Sequence, residues 1–187
     1  MVDSRILQTQ TALSRAILEL ASERPVSQIP VSEVARRAGI NRATFYNHYL
    51  SPGSLLAAVV GRELDRVREA DHALRSKPGA PRAAATRQSV EAVVRIVQEN
   101  RRVFELALLD SQDASLHRAL AAHFEESCRE HLARYSLESE PVPDIEIVAR
   151  FVAEGIVGGI DAWLAKPDVE PATLTDAIMS AMPRWWR

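Results

Sequence analysis

Five polar side chains stand almost side by side between positions 42 and 48: Arg42, Thr44, Tyr46, Asn47 and His48, with the small Ala43 among them. A guanidinium, two hydroxyls, an amide and an imidazole at such spacing suit a surface held against phosphate oxygens and base edges better than one facing only water. A second set, Phe124, Cys128 and His131, falls at four- and three-residue steps and so shares one helical face. Cys128 and His131 suggest a nucleophile with its base, or two metal ligands. Catalysis would need a third orienting group and an oxyanion site, and zinc would need more ligands. His117 lies eleven residues before Cys128, about 16 Å along a helix at 1.5 Å per residue, too far to join them. Neither an enzyme nor a metal or cofactor site is expected.

The elements that must position the first set are short and well marked. A helix is expected from about Ser32, which can cap free amides, with Val34, Ala35 and Ala38 facing inward. Gly39 can take the left-handed geometry that ends a helix, and Ile40 after it is an apolar plug beneath the turn. Asn41 is a good N-cap for a second helix over 42–49, in which Phe45 and Tyr49 share the buried side. The pattern is that of a helix-turn-helix. Ahead of it, Asp3-Ser4 can cap a supporting helix with Leu13, Ala16, Ile17, Leu20 and Ala21 at helical spacing, ending before Pro25. Behind it, Ser51-Pro52 starts a long helix through Leu55, Leu56, Val59, Val60 and Leu64 to about Leu74.

At VSEVARRAGINRATFYNHY the chain resembles the TetR family of one-component transcriptional regulators, whose alanine-glycine turn and aromatic recognition helix stand here as AGINRATFYNHY. The resemblance is close over about the first third of the chain and architectural beyond it. It implies an all-α homodimer: an N-terminal three-helix head that binds a double-stranded DNA operator, joined by a long fourth helix to a C-terminal helical domain for ligand binding and dimerisation. It also implies that Arg42, Ala43 and Thr44 face base edges, that Tyr46 and His48 bond phosphates, that Asn47 does either, and that Ser32 approaches from the first helix. Two positions depart from the family pattern. Pro52 stands where a phosphate-gripping lysine is usual, and Pro30 where a capping threonine is common.

The head is expected over residues 1–60 and the second domain over 61–187, with Ser76-Lys77-Pro78-Gly79-Ala80-Pro81 the clearest breaker cluster at their junction. Residues 1–62 hold seven Arg or Lys against four Asp or Glu, a balance of +3; the whole chain is −2, leaving −5 for the rest. A basic segment on a non-basic chain fits a DNA-binding head joined to a domain that does not touch DNA.

The remainder reads as further helices without strand alternation. Val90, Val93, Val94 and Val97 mark one; Val103 to Leu109 a short one; Leu116 to Leu132 the next; Glu138 to Pro143 is a loop. The segment Ile145–Trp163 is strongly apolar and carries Gly155 and Gly159 on one face, and a final helix offers Leu174, Ala177, Ile178, Ala181, Met182 and Trp185. By resemblance these two helices meet a symmetry mate, with Val152, Gly155, Ile156, Gly159, Trp163, Ile178 and Met182 in the interface. The effector, of unknown identity, is expected to be small and rather apolar, with Phe104, Leu108, Phe124, Cys128, His131 and Phe151 as candidate contacts. No stretch is long and apolar enough to span a membrane, which places the expected protein in the cytoplasm. The competing reading is a helical protein-interaction module without specific DNA binding.

Overall fold

A computed structural model describes residues 4–76, 82–138 and 144–182; of residues 4, 5, 82 and 134–138 it describes the backbone alone. Its helices are α1 (Ser4–Glu23), α2 (Val31–Ala38), α3 (Arg42–Tyr46), α4 (Pro52–Arg75), α5 (Arg82–Glu99), α6 (Arg101–Leu108), α7 (Ser115–Glu138), α8 (Ile145–Leu164) and α9 (Pro171–Ala181), with a 3-10 turn at Val26–Gln28. No strand occurs among the described residues. The breaker residues 77–81, the loop 139–143 and Trp185 lie outside them.

The chain divides into two compact units. The first holds residues 1–60 and also 100–119, a segment that the sequence pattern alone would give to the C-terminal domain; the second holds 61–99 and 120–187. In the first unit, α1 packs on α2 and on α6. Its core is built from Leu13, Ile17 and Leu20 of α1, Val34 of α2, Phe45 of α3, Leu55 and Leu56 of α4, and Phe104 of α6, all without solvent exposure. The α1 apolar face is therefore wide enough to serve two partners.

The head's turns are fixed by hydrogen bonds rather than by burial alone. Gly39 closes α2 at φ 69°, ψ 29°, donating its N–H to the Ala35 and Arg36 carbonyls. It is the only residue with positive φ among those described. An L side chain at that geometry would be strained although no atom stands near its Cβ position. At the start of α4, Ser54 N donates to Ser51 Oγ at 3.1 Å while Ser51 N donates to Ser54 Oγ at 3.0 Å, a reciprocal capping box around Pro52 in the first turn. Pro52 thus costs the helix start nothing in hydrogen bonds. Ser32 is not a cap: α2 begins one residue earlier, at Val31 after Pro30, which offers no side-chain bond.

The α6–α7 loop is tied into the same unit. Asp110 accepts hydrogen bonds from Ser27 N and Ser27 Oγ, each at 2.9 Å, and from Gln112 N at 3.1 Å. Asp113 accepts from Ser115 N at 2.7 Å and lies against buried Gly53, where any Cβ would fall 2.1 Å from its Oδ2. Burial opposes ionisation of Asp110, but the hydrogen bonds from Ser27 N, Ser27 Oγ and the loop amides outweigh it and hold its carboxyl below the usual value of 3.8. A depressed folded value means stability present above the unfolded pKa and lost as pH falls through the folded one. Asp110→Asn is accordingly expected to lower the unfolding temperature at neutral pH, with the difference from the unaltered chain closing as pH falls below 3.8. Thermal unfolding at both pH values checks this; a pH-independent difference would remove the carboxylate charge from the account.

In the second unit α5 and α8 pack on α9. Arg87 of α5 pairs with Asp176 of α9 at 2.9 Å, and Arg150 of α8 with Glu125 of α7 at 2.8 Å. The core runs through Leu64, Val97, Leu120, Leu132, Ala153, Val157 and Ile160. Asp144 caps α8 by accepting from Ile147 N at 3.0 Å, and Pro171 opens α9.

Candidate nucleic-acid interface and ligand cavity

The recognition helix is shorter than its pattern predicts. It covers Arg42–Tyr46 and runs on as a turn through Asn47 and His48, in which His48 N bonds the Phe45 carbonyl at 2.9 Å, three residues back. Tightening to this step turns the last residues relative to a regular α-helix. Asn41 caps the start, its Oδ1 accepting from Thr44 N at 2.7 Å and from Thr44 Oγ1 at 3.0 Å. The Thr44 hydroxyl hydrogen is thus committed inside the helix, and its oxygen faces any further partner as an acceptor.

Phe45 anchors this helix. It is fully buried, with the Tyr46 ring edge-on at 5.6 Å and the Tyr49 ring at 6.2 Å. With Phe45 turned inward, Arg42, Ala43, Tyr46 and Asn47 are exposed, and Thr44 and His48 are half-buried. Ser32 is exposed on α2. Two further exposed side chains escape the pattern. Arg36 stands exposed in the last turn of α2, where the periodicity marks only a solvent-facing position, and Leu50 follows the recognition helix as an isolated apolar residue.

Two other arginines of the head, Arg37 and Arg24, are engaged internally. Arg37 of α2 bonds Glu19 of α1 at 3.1 Å, and Arg24 pairs with Glu33. Hydrogen bonds from Arg37 and Arg15 lower the Glu19 carboxyl below its usual range. These contacts hold α2 against α1, leaving Arg36 and Arg42 as exposed guanidinium groups of the motif.

A second feature is a cavity of about 110 Å³ within the second unit, bounded by residues of α4, α5, α7 and α8 with Ile178 and Met182 at the α9 end. Phe124, Cys128 and His131 line it. Phe104, Leu108 and Phe151 do not. Phe104 and Leu108 lie on α6 in the first unit, and Phe151 stands 79% exposed, two residues from inward-facing Ala149 and so on the opposite side of α8. The polar wall comes from positions no single helix pattern reveals: Arg68, Asp71, His72 and Arg75 from α4, Thr86 and Ser89 from α5, and His123 and Ser127 from α7.

Burial, with the Glu125 charge adding to it, pushes the Cys128 thiol up to about 12, so it stays protonated and is no nucleophile. Burial followed by the charge of Arg68 lowers the His123 imidazole, against the opposing pull of Asp65. Among the described residues no group of three or more His, Cys, Asp or Glu is placed to hold a metal.

The residues expected between subunits divide into two sets. Ile156, Ile178 and Met182 line the cavity, Val152 is half-buried, and Trp163 is buried with its indole N–H donating to the Val169 carbonyl at 2.9 Å. Gly155 is open, and with Gly159 it borders a groove between α8 and α9 that continues along Ala162, Ala177 and Ala181. The outer face of α8 instead carries Ile147, 69% exposed, and Phe151.

An all-helical chain whose first unit presents an N-capped, arginine-tipped helix behind a glycine turn is, by class, a helix-turn-helix DNA-binding regulator. It belongs to the tetR family of bacterial regulatory proteins: that family's model matches residues 13–59, and a model of a transcriptional regulator C-terminal region matches 85–183. The HTH-type transcriptional regulator YxbF of Bacillus subtilis is 37% identical over 62 residues, which is 33% of this chain and 16% of that protein. Two solved structures share the fold. A tetR-family regulator from Streptomyces coelicolor has TM-score 0.64 at 20% identity, covering 91% of this chain and 77% of that one. NalD of Pseudomonas aeruginosa, described as the secondary repressor of the MexAB-OprM multidrug efflux pump, has TM-score 0.60 at 21% identity, covering 92% and 93%. Proteins of this family are transcription factors, and the chain is not an enzyme. No helix of the described residues is long and apolar enough to cross a membrane.

Proposed function

We propose that the chain is a cytoplasmic, homodimeric repressor that reads a near-palindromic operator and lets go of it when a small molecule fills the cavity of its second unit. The observation that carries the DNA-reading part is the exposure of Arg42, Ala43, Tyr46 and Asn47 on a capped helix whose orientation is held by buried Phe45. Arg42 reads base edges, Tyr46 and His48 hold phosphates, and Ser32 and Thr44 accompany them. The description of NalD as a repressor supports the direction of control.

Ligand response rests on two helices that belong to both units. α4 carries Gly53 in the head and Val67 to Arg75 on the cavity wall; α7 begins at Ser115 in the head and carries Phe124 to His131 on the same wall. A molecule that favours one arrangement of these walls biases both helices, and only a difference in its affinity for the two arrangements shifts the equilibrium.

The test is fluorescence anisotropy with DNA from the chain's own promoter region across a salt series. Affinity is expected to fall linearly on a log-log plot with a slope near −0.9 per phosphate neutralised. Binding that ignores salt, or that does not prefer promoter DNA to scrambled DNA of equal length, would replace the regulator by a protein-interaction module.

A further inference from the structure

The cavity is mostly apolar, with Val67, Val90, Val93, Phe124, Ile156 and Ile178 among its walls, yet one side of it is built around a guanidinium. Arg75 donates from Nε to Asp71 Oδ2 at 2.6 Å and from Nη2 to Thr86 Oγ1 at 3.0 Å. Asp71 is held in turn by Ser89 Oγ at 2.7 Å. The third nitrogen of the fork, Nη1, is buried and finds no hydrogen-bond partner among the described residues. A buried donor of a charged group is costly to leave unbonded. With its other two nitrogens fixed, Arg75 cannot turn to satisfy Nη1 without losing a bond already made.

The charges around it decide what kind of acceptor fits. The arginines of the wall already face carboxylates: Arg75 faces Asp71 and Arg68 faces Asp65 at 3.0 Å, while His72 Nε2 lies 2.7 Å from Glu130 Oε2. His123, its basicity lowered by burial, adds no compensating charge. The arginine charges of the wall are thus matched by carboxylates already in place. An anion brought in beside Asp71 would meet uncompensated repulsion, and a cation would offer Nη1 no lone pair.

We propose that the cavity takes a small, neutral, mostly apolar molecule bearing one carbonyl-type oxygen, which accepts the hydrogen bond of Arg75 Nη1. This inference rests on reading the cavity as the effector site. Its volume of about 110 Å³ sets the scale: an engineered apolar cavity of about 150 Å³ holds benzene. The ligand is therefore no bulkier than a single ring or a short chain. Cys128, a protonated thiol, packs against it without reacting.

Four single-ring probes separate the alternatives by calorimetric titration of the full chain: acetophenone, toluene, benzoate and benzylamine. Acetophenone is expected to bind about 10- to 100-fold more tightly than toluene, the range of a hydrogen bond to a charged group, with benzoate and benzylamine no tighter than toluene. Arg75→Met should erase the acetophenone preference while keeping toluene binding. Because that change strips Asp71 of its partner, Arg75→Met combined with Asp71→Asn serves as the second variant, and the acetophenone-to-toluene ratio on the unaltered chain decides the matter even where neither variant folds. Acetophenone binding no better than toluene, or benzoate binding best, overturns the neutral-acceptor inference and leaves the cavity as the effector site. Failure of all four to bind overturns both.

Discussion

Alanine in place of Arg42 is expected to flatten base preference at one position in each operator half-site, by about 1–3 kcal/mol or roughly 5- to 150-fold in relative affinity. The size follows from what is removed. A guanidinium fork bonding O6 and N7 of guanine makes two parallel hydrogen bonds that no other base pair reproduces. Arg42 is exposed at the first position of α3, so the alanine variant should fold as before, with unchanged thermal unfolding. The measurement is a set of anisotropy titrations against operators altered one base pair at a time. Two controls separate reading from simple attraction. Arg42→Lys keeps the charge and should lose the preference, and Tyr46→Phe should weaken all operators alike. If Arg42→Ala instead weakened every sequence equally, with the salt slope falling by about 0.9, Arg42 would be a phosphate contact and the base-reading role would go to its neighbours.

How legible these features are in the sequence depends on the range of the interactions that fix them. The helix-turn-helix is set within a few residues: the positive φ of Gly39, the Asn41 cap on Thr44 and the Ser51–Ser54 box are all local, and residue type announces each. Even there, the end of α3 is misjudged by periodicity. Phe45 and Tyr49 keep an apolar spacing that suits a longer helix, while the backbone has already tightened at His48.

Beyond the head, type and spacing lose their grip. The apolar pattern of α6 says that Phe104 is buried but not in which unit, and it joins the head. The α8 segment is apolar around most of its circumference, so hydropathy cannot tell inward Ile160 from outward Phe151. The polar cavity wall is the least legible part. Arg75 and Thr86 come from different helices, and each alone reads as an ordinary position at the polar edge of an amphipathic helix.

That ambiguity on α8 bears directly on assembly. Ile147 and Phe151 stand exposed on the outer face, and the same row of the helix continues through the exposed small residues Gly155, Gly158 and Ala162. In the proposed two-fold dimer every contact occurs twice, so a large apolar residue on this row, if it lies in the interface, contributes once from each protomer. Burying one phenylalanine contributes about 1.5–3 kcal/mol, and two by symmetry about 3–6 kcal/mol. Phe151→Glu should therefore raise the dimer dissociation constant at least about 100-fold, with the carboxylate's desolvation adding to the loss. Because Phe151 is 79% exposed in the single chain, thermal unfolding of the monomer should be nearly unchanged.

The larger consequence falls on DNA. Two heads held together engage the second half-site at a high effective concentration, worth about 10²–10⁴ in affinity, and a monomer forfeits all of it. Phe151→Glu is thus expected to abolish tight operator binding while leaving the weak, salt-sensitive binding of a single head. Sedimentation equilibrium reports the assembly state and anisotropy the operator affinity. Ile156→Ala, on the cavity side of the same helix, is the contrasting variant: it should lower unfolding temperature without dissociating the pair. A Phe151→Glu protein that remains dimeric and binds its operator as before would move the interface off this face of α8.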